Sequence, residues 1–583
     1  MKRFALAFTA LSMAITAPAY AGPGDEFQKL LDDHWSWTLS QSPTFATSLG
    51  VRDYDDRLGS LTLESMDKAR EKRQEFLTRL RAIDRSGLDK TDQLNARLFE
   101  RDLEIEIEAG EFGQRAILFT TYYGWHSEIA GLSDRLPFFN KADYESYLKR
   151  LKDVPRYNAE GIATTKWGIE NGYVQPCAPL ENFSKTITAH IVEDITGSVF
   201  MKPFENQPSS ISDTDWASLK AQAEKSVKSD VIPAFQAWAA TYEEDYKPNC
   251  RSVVGASSMP EGGDYYAHRI RAETTTDMTA EQIHRIGLSE VARIRSEMEE
   301  VIKGANFDGD FKAYQDYLRT NPALYAKTPE ALMERSAYIS KRIDGELPKL
   351  FTRLPAMPYT VKPVPEEIAE GTTTAYYEAP AGDGTRAGVY RVNTSKLDQR
   401  PLFEMEALTL HEAVPGHHFQ IALQQELDLP NFRRFGGITA FVEGWALYAE
   451  RLGLEVGFYQ TPETDFGRLS YEMWRACRLV VDTGMHAKGW TKQQAIDFMA
   501  ENTALSMHNI EAEVNRYITW PGQALGYKIG ELKIRELRER AENALGSDFD
   551  VRKFHDAVLE NGAIPLSVLE DIINTWIEEQ RMS

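Results

Sequence analysis

Three of the chain's 11 histidines fall within HEAVPGHH, residues 411–418, and Glu412 directly follows the first of them. Imidazole nitrogens and carboxylates are the donors a zinc ion prefers, and a glutamate beside a metal can act as a general base. On an unbroken helix two histidines at i and i+4 share a face and grip one metal. Here the spacings are i+6 and i+7. Six helical residues turn through about 600°, so His411 and His417 would face apart, and His418 would sit about 10.5 Å along the axis from His411. Pro415 and Gly416 change this. Proline cannot donate the helical hydrogen bond and clashes with the preceding turn, and glycine accepts whatever dihedrals a bulge needs. With those two residues extruded the order becomes His411-Glu412-Ala413-Val414-His417, the spacing of a helical metal site with Glu412 beside it. The reading makes His411 and His417 the first two ligands, with His418 as the alternative second. Its rival is a helix that ends at Val414 and leaves the histidines exposed by coincidence.

A catalytic zinc takes a third protein ligand and keeps one position open. Glu443, in TAFVEGWALYAERL, is the candidate, flanked by apolar and small residues on a helical pattern. Glu450 lies two turns on and on nearly the same face; it reads as a surface acid first and as support for a ligand second.

The elements that must position these groups are helical. EFQKLLDDHWSW, ESMDKAREKRQEFLTRLRAI and TDQLNARLFERDLEIEIEAG carry apolar residues at three- and four-residue spacing. Residues 213–246 predict another long helix, bent or interrupted near Pro233. The Gly-, Pro- and Ser-rich stretch 247–266 predicts a linker, with a subdomain boundary near residue 263. Two further helices open on the capping threonines Thr279 and Thr328. Residues 356–395 differ: TTTAYYEAP, a glycine-rich turn and VYRVNT predict a small β-hairpin before the HEAVPGHH helix. Its tyrosines Tyr376, Tyr377 and Tyr390 would line an approach along which an extended peptide could pair with an edge strand; the plainer reading is a cover over the helical core. Helices resume at residue 401. There is no internal repeat.

At 583 residues the chain exceeds what one core usually fills, so two subdomains around a cleft are expected, at 22–263 and 264–583. A net charge of −22 argues against nucleic-acid partners and against adsorption to anionic membranes. Residues 1–21, MKRFALAFTALSMAITAPAYA, have the basic start, apolar run and A-Y-A end of a secretory signal peptide cleaved after Ala21. No cysteine lies near that point and no later apolar run could span a bilayer, so a periplasmic or secreted protein without a membrane anchor is expected. In that oxidising setting Cys177 and Cys250, both in proline-flanked loops, could pair, whereas Cys477 reads as a buried free thiol. No G-x-S-x-G elbow is present and no cysteine has a plausible base nearby, which sets aside serine and cysteine hydrolases.

LTLHEAVPGHHFQ, AFVEGWALYAE, NRYITWPGQALGYKIG and GAIPLSVLED resemble blocks of a bacterial domain-of-unknown-function family marked by an HE-x-x-PGHH helix and an EGWALY helix. The resemblance runs over most of the mature chain. The first two blocks are also similar to a stretched form of the HE-x-GH helix and downstream glutamate helix of gluzincin-type zinc peptidases such as thimet oligopeptidase, the peptidyl-dipeptidases and carboxypeptidase Taq. That likeness maps the Gly-His pair onto Gly416-His417. It implies a mostly α, zincin-like fold with a deep cleft and a small sheet near the site, a Zn2+ cofactor, and hydrolysis of short peptides with Glu412 as general base. Peptidyl-dipeptidases place a histidine and then an Arg-Tyr pair across the cleft from zinc; His508 and Arg516-Tyr517 look similar. By that analogy Tyr517 is the first choice of oxyanion donor, assisted by His508, with Tyr527 second. Arg516 could instead hold a substrate carboxylate. Two other readings stay open: a peptidase fold that holds a peptide or metal without turnover, and a zinc amidase or esterase acting on non-peptide substrates. His486 reads as structural.

Overall fold

The computed structural model describes residues 22–582 except Tyr122 and Gly371; the expected leader lies outside them. The amphipathic stretches become capped helices: α1 (Pro23–Gln41), α2 (Leu63–Ala82, capped by Thr62), α3 (Lys90–Ala109, capped by Asp89) and α4 (Lys141–Asn171, capped by Asn140). The chain is also helical from Asp213 to Tyr246, but Val227–Val231 form a π-turn just ahead of Pro233. The expected interruption is therefore a local widening at the residue whose N–H is missing. The expected linker already turns helical at its end: α5 (Gly262–Thr274) starts within it, followed by α6 (Ala280–Gly304) and α7 (Pro329–Asp344), capped by Thr279 and Thr328.

The sheet has three strands: β1 (Tyr359–Pro363), β2 (Ala375–Glu378) and β3 (Gly388–Val392), in the order β1-β3-β2. β2 and β3 form the antiparallel hairpin read from sequence, with Tyr377 opposite Tyr390. β1 is an addition, parallel to β3. Its flanking prolines hide it in a sequence reading, because they confine it to an edge. After the sheet follow α8 (Met405–Glu412), α9 (His417–Glu426), α10 (Thr439–Leu452), α11 (Pro462–Lys488), α12 (Met507–Thr519), α13 (Gly526–Leu545) and α14 (Val551–Leu559). Among the described residues helices account for 71% and strands for 4%, so the fold is mostly α.

Buried apolar side chains gather around separate centres. Phe27, Phe76 and Phe99 tie α1, α2 and α3 together. Trp125, Tyr147, Phe204 and Trp238 centre a second core within residues 58–246. The largest core holds Trp445, Tyr471, Trp474 and Phe554 and takes in Leu98 and Val254 from the earlier part of the chain. Cys177 and Cys250 are bridged, with Cα atoms 5.1 Å apart, and Cys477 is a buried free thiol. Next to the bridge, Gln175 donates to the carbonyls of Phe119 and Thr519, which fastens that loop to the end of α12.

Two close helix contacts set the frame of the site. Gly444 of α10 lies against Gly530 of α13 so tightly that a Cβ on Gly530 would stand 1.8 Å from the Ala440 carbonyl. Only glycine permits that approach. Beside the crossing, fully buried Lys528 meets Glu290, Glu472 and Glu531 at 3.1, 2.9 and 2.9 Å, joining α13 to α6 and α11. The crossing therefore fixes both Glu443, which precedes Gly444, and Tyr527, which precedes Lys528.

Candidate metal centre

HEAVPGHH folds as two helices and not as one bulged helix. α8 stops at Glu412, the Val414–Pro415 peptide is cis, and α9 begins at His417. The helical ladder is rejoined by a single bond from His418 N–H to the Ala413 carbonyl, five residues back. Gly416 is required here because a Cβ would stand 1.9 Å from the His411 carbonyl. The Trp445 indole, from EGWALY, donates to the Pro415 carbonyl at 2.8 Å and holds the break against α10.

The break brings His411, His417 and Glu443 together, with one ligand atom from each within 4.8 Å of the others. Glu443 Oε2 lies 3.2 Å from His417 Nε2 and 3.6 Å from His411 Nε2. Tetrahedral zinc with Zn–N bonds near 2.0–2.1 Å sets its donors about 3.3 Å apart, which these spacings match. Glu443 Oε2 is also buried without a well-directed hydrogen bond, as expected of an oxygen and nitrogens aimed at a shared point and not at one another. The three residues fit a metal ion. Burial alone would lift the Glu443 carboxyl, but His417 and His411 hold it well below the usual range. Burial alone would lower His411, yet the carboxylates of Glu443 and Glu450 beside it carry it up to about 9.

Glu450 is not a surface acid. It is buried and accepts from His411 Nδ1 at 2.8 Å, and Arg475 Nη2 stands 3.2 Å from the same oxygen. The two-turn spacing put it on the right face; the burial statistics of glutamate misled. His418 does not join the metal group. Its Nε2 donates to the Met357 carbonyl at 3.0 Å and its Nδ1 accepts from the Tyr377 hydroxyl at 2.8 Å, so both nitrogens are engaged. Burial keeps the ring neutral, at about 4. His418 and Tyr377 thus bolt α9 to the sheet, packed so closely that a Cβ on Gly388 would stand 2.4 Å from the Tyr377 oxygen. The Tyr377 ring also lies parallel to His417, centroids 6.5 Å apart.

Glu412 is largely buried, and among the described residues no hydrogen bond or ion pair engages its carboxylate. The candidate oxyanion donors separate clearly. The Tyr517 hydroxyl is buried and accepts from Trp474 Nε1 and Arg478 Nε at 2.8 Å each. No hydrogen bond or ring contact joins it to His411, His417 or Glu443 among the described residues. Tyr527 stacks on His411, centroids 6.3 Å apart and planes within 8°. Its oxygen accepts from Arg516 Nη2 at 3.0 Å, and its own proton has no acceptor among the described residues. Arg516 also donates to Gln523 at 2.8 Å. His508, half-buried at the start of α12, bonds the Glu370 carbonyl at 3.2 Å and has no contact with the metal group. Tyr390 is fully buried beside Thr409 and lines no approach. His486 is structural as expected: Nδ1 accepts from Ala256 N–H and Nε2 donates to the Tyr517 carbonyl. A cavity of about 460 Å3 lies beside His486, Tyr266 and Met278, and none of the metal group lines it.

Sequence reasoning missed Arg475 and Arg478. The signal was there: two arginines three apart in the otherwise apolar WRACRLV of α11, a place where unpaired charge is costly.

Fold and site together define a mostly helical protein carrying a buried His-His-Glu group that could hold a metal ion. The chain belongs to the family described as "Bacterial protein of unknown function (DUF885)", whose model matches residues 43–573. It is similar to a crystal structure described as a "putative lipoprotein" from Colwellia psychrerythraea, at 29% identity and TM-score 0.90 over 96% of this chain and all of that one. A second structure, a "putative lipoprotein of unknown function" from Shewanella oneidensis, shares the fold at 21% identity and TM-score 0.70 over 95% of this chain and all of that one. No curated protein matches the chain. No helix among the described residues is long and apolar enough to cross a membrane.

Proposed function

We propose that this chain is an exported zinc-dependent metallopeptidase that hydrolyses short peptides. The observation that carries the reading is the convergence of His411, His417 and Glu443 with Glu412 directly behind the first ligand. A zinc ion held by the three would supply Lewis-acid chemistry at an open coordination position. The Glu443 side chain keeps 16% of its surface and that of His417 10%, which puts the group at the edge of solvent although Glu443 Oε2 itself is buried. Glu412 takes a proton from the attacking water and returns it to the leaving amine. Tyr527, with its uncommitted proton and its ring on His411, donates to the oxyanion; it takes the part the sequence reading gave first to Tyr517. Arg516, bonded to Tyr527 and Gln523, supplies positive charge beside that hydroxyl and suits a substrate carboxylate.

The peptide would lie along β2. Asn393 N–H donates to the Thr374 carbonyl, so by alternation the main-chain groups of Ala375 and Tyr377 point away from β3. β2 is an edge strand, and those groups can pair with an extended chain. Export to an oxidising compartment of the envelope is supported by the Cys177–Cys250 bridge and by the lipoprotein descriptions of the similar structures.

Zinc-loaded wild type and Glu412→Gln are to be incubated with a mixed peptide library and read by mass spectrometry. The expected result is cleavage by wild type and a loss of about 10²–10⁴-fold in Glu412→Gln with zinc retained. Bound zinc without cleavage of any peptide would sink the peptidase reading and leave a binding protein. Cleavage confined to non-peptide amides or esters would move the substrate class.

A further inference from the structure

We propose that Arg475 is a positioning residue for the metal centre, acting through Glu450 on His411. The inference rests on the metal reading above. His411 turns Nε2 toward Glu443 and His417, so Nδ1 must be satisfied on the other side of the ring, where Glu450 Oε1 stands at 2.8 Å. A carboxylate partner of this kind fixes the tautomer and ring orientation of a metal-binding histidine.

Glu450 is 2% exposed, and a carboxylate at that depth needs a counter-charge. Arg475 supplies it, with Nη2 3.2 Å from the oxygen that accepts from His411. The arginine is itself immobilised. Its guanidinium lies over the rings of Tyr471 and Trp474, 4.6 and 4.2 Å from their centroids, and Nη1 donates to the Tyr471 carbonyl one turn back. Tyr459 holds the other side of the arrangement by donating to the Glu450 carbonyl at 2.6 Å. No hydrogen bond or ion pair joins Arg475 to His411, His417 or Glu443 among the described residues; beyond a through-space charge on His411, its hold on the ring's orientation passes through Glu450. His417 has no equivalent support, because its Nδ1 is buried without a partner. The two histidines are therefore unequal: His411 is anchored by a two-residue chain from α11, and His417 is held by the backbone of α9.

The test is a double-mutant cycle in zinc affinity, measured by chelator competition on the full chain, with the visible spectrum of the cobalt-substituted protein as a second readout. Glu450→Gln and Arg475→Met are each expected to weaken zinc binding about 10- to 100-fold and to shift the cobalt bands. Because Arg475 acts through Glu450, the double variant should lose little more than the weaker-binding single variant. Arg475→Lys, which keeps the charge and loses the fork, should recover part of the affinity. Wild-type affinity in Arg475→Met, or fully additive losses with an unmoved cobalt spectrum, would overturn the proposal. If Arg475→Met does not fold, the cycle is read with Arg475→Lys under the same criteria. Wild type that binds no zinc would instead remove the metal reading itself, and zinc binding without peptide cleavage would leave the Arg475 inference standing.

Discussion

His417 and His418 are neighbours with different tasks, and Tyr517 and Tyr527 divide in the same way, because only Tyr527 stacks on His411. Chain order made all four candidates, because the residue types and rough spacing were right. It could not rank them. Which histidine faces Glu443 depends on where α9 starts, and which tyrosine reaches His411 depends on how α12 and α13 pack against α11, whose Trp474 and Arg478 engage the Tyr517 hydroxyl. Glu443 was legible because a lone acid among apolar residues on a helix needs a reason to be there. Arg475 obeyed the same rule and was overlooked among the other charges of a 27-residue helix. At this scale the clearest prediction concerns Tyr527. Tyr527→Phe keeps the ring on His411 and removes only the hydroxyl, so zinc affinity should stay at the wild-type value while kcat falls about 10²-fold. Tyr517→Phe should mainly cost stability, seen as a lower Tm, because it leaves Trp474 Nε1 and Arg478 Nε without their buried acceptor. Steady-state kinetics and thermal melts on the two variants separate the roles.

Among the elements, the decisive ones are the break between α8 and α9 and the crossing of α10 with α13. The Pro-Gly pair announced a distortion, but not whether the helix would carry on through it or restart. The restart depends on the Trp445 bond to Pro415 and on the room left by Gly416, both of which need α10 in place. The crossing was less legible. Glycines in EGWALY and GYKIG look like ordinary helix interruptions until the two are seen to touch. Gly530→Ala would drive a methyl group into the Ala440 carbonyl and push α13 off α10. Overpacking of this kind costs about 1–3 kcal/mol, and here it also moves Tyr527 away from His411. The expected outcome is a lowered Tm with a proportionally larger loss of turnover than of zinc. An unchanged melt would mean the crossing is looser than described.

Over the whole molecule, helical content, the hairpin and the capped helix starts followed from pattern and composition, because each is dictated locally. The Cys177–Cys250 pairing, 73 residues apart, stayed one possibility until the fold brought the two loops together. β1 and the charge cluster around Lys528 did not follow from pattern, because both depend on partners distant in the chain. The buried histidines give the molecule an acid sensitivity with a defined sign. Burial lowers His486 to about 4 and His126 and His555 to about 3, whereas in the unfolded chain they titrate near 6.5. Below pH 6.5 the unfolded state therefore binds more protons at these sites, and stability falls as pH falls toward the folded values. Glu404 and Asp482, raised by burial to about 8 and about 7, act in the opposite sense, so a single-site difference is the quantity to measure. His486→Gln preserves an acceptor for Ala256 and a donor for Tyr517 but cannot titrate. Relative to pH 7.5, wild type should lose about 2 kcal/mol more than this variant would by pH 5. Parallel stability curves for the two proteins between pH 7.5 and 5 would contradict it.

The most direct test of the central claim is zinc content by plasma mass spectrometry on purified wild type, His417→Ala and His418→Gln. About one zinc per chain is expected in wild type and in His418→Gln, and almost none in His417→Ala. Loss of zinc from His418→Gln with retention in His417→Ala, or a wild type that takes up no zinc, would contradict it.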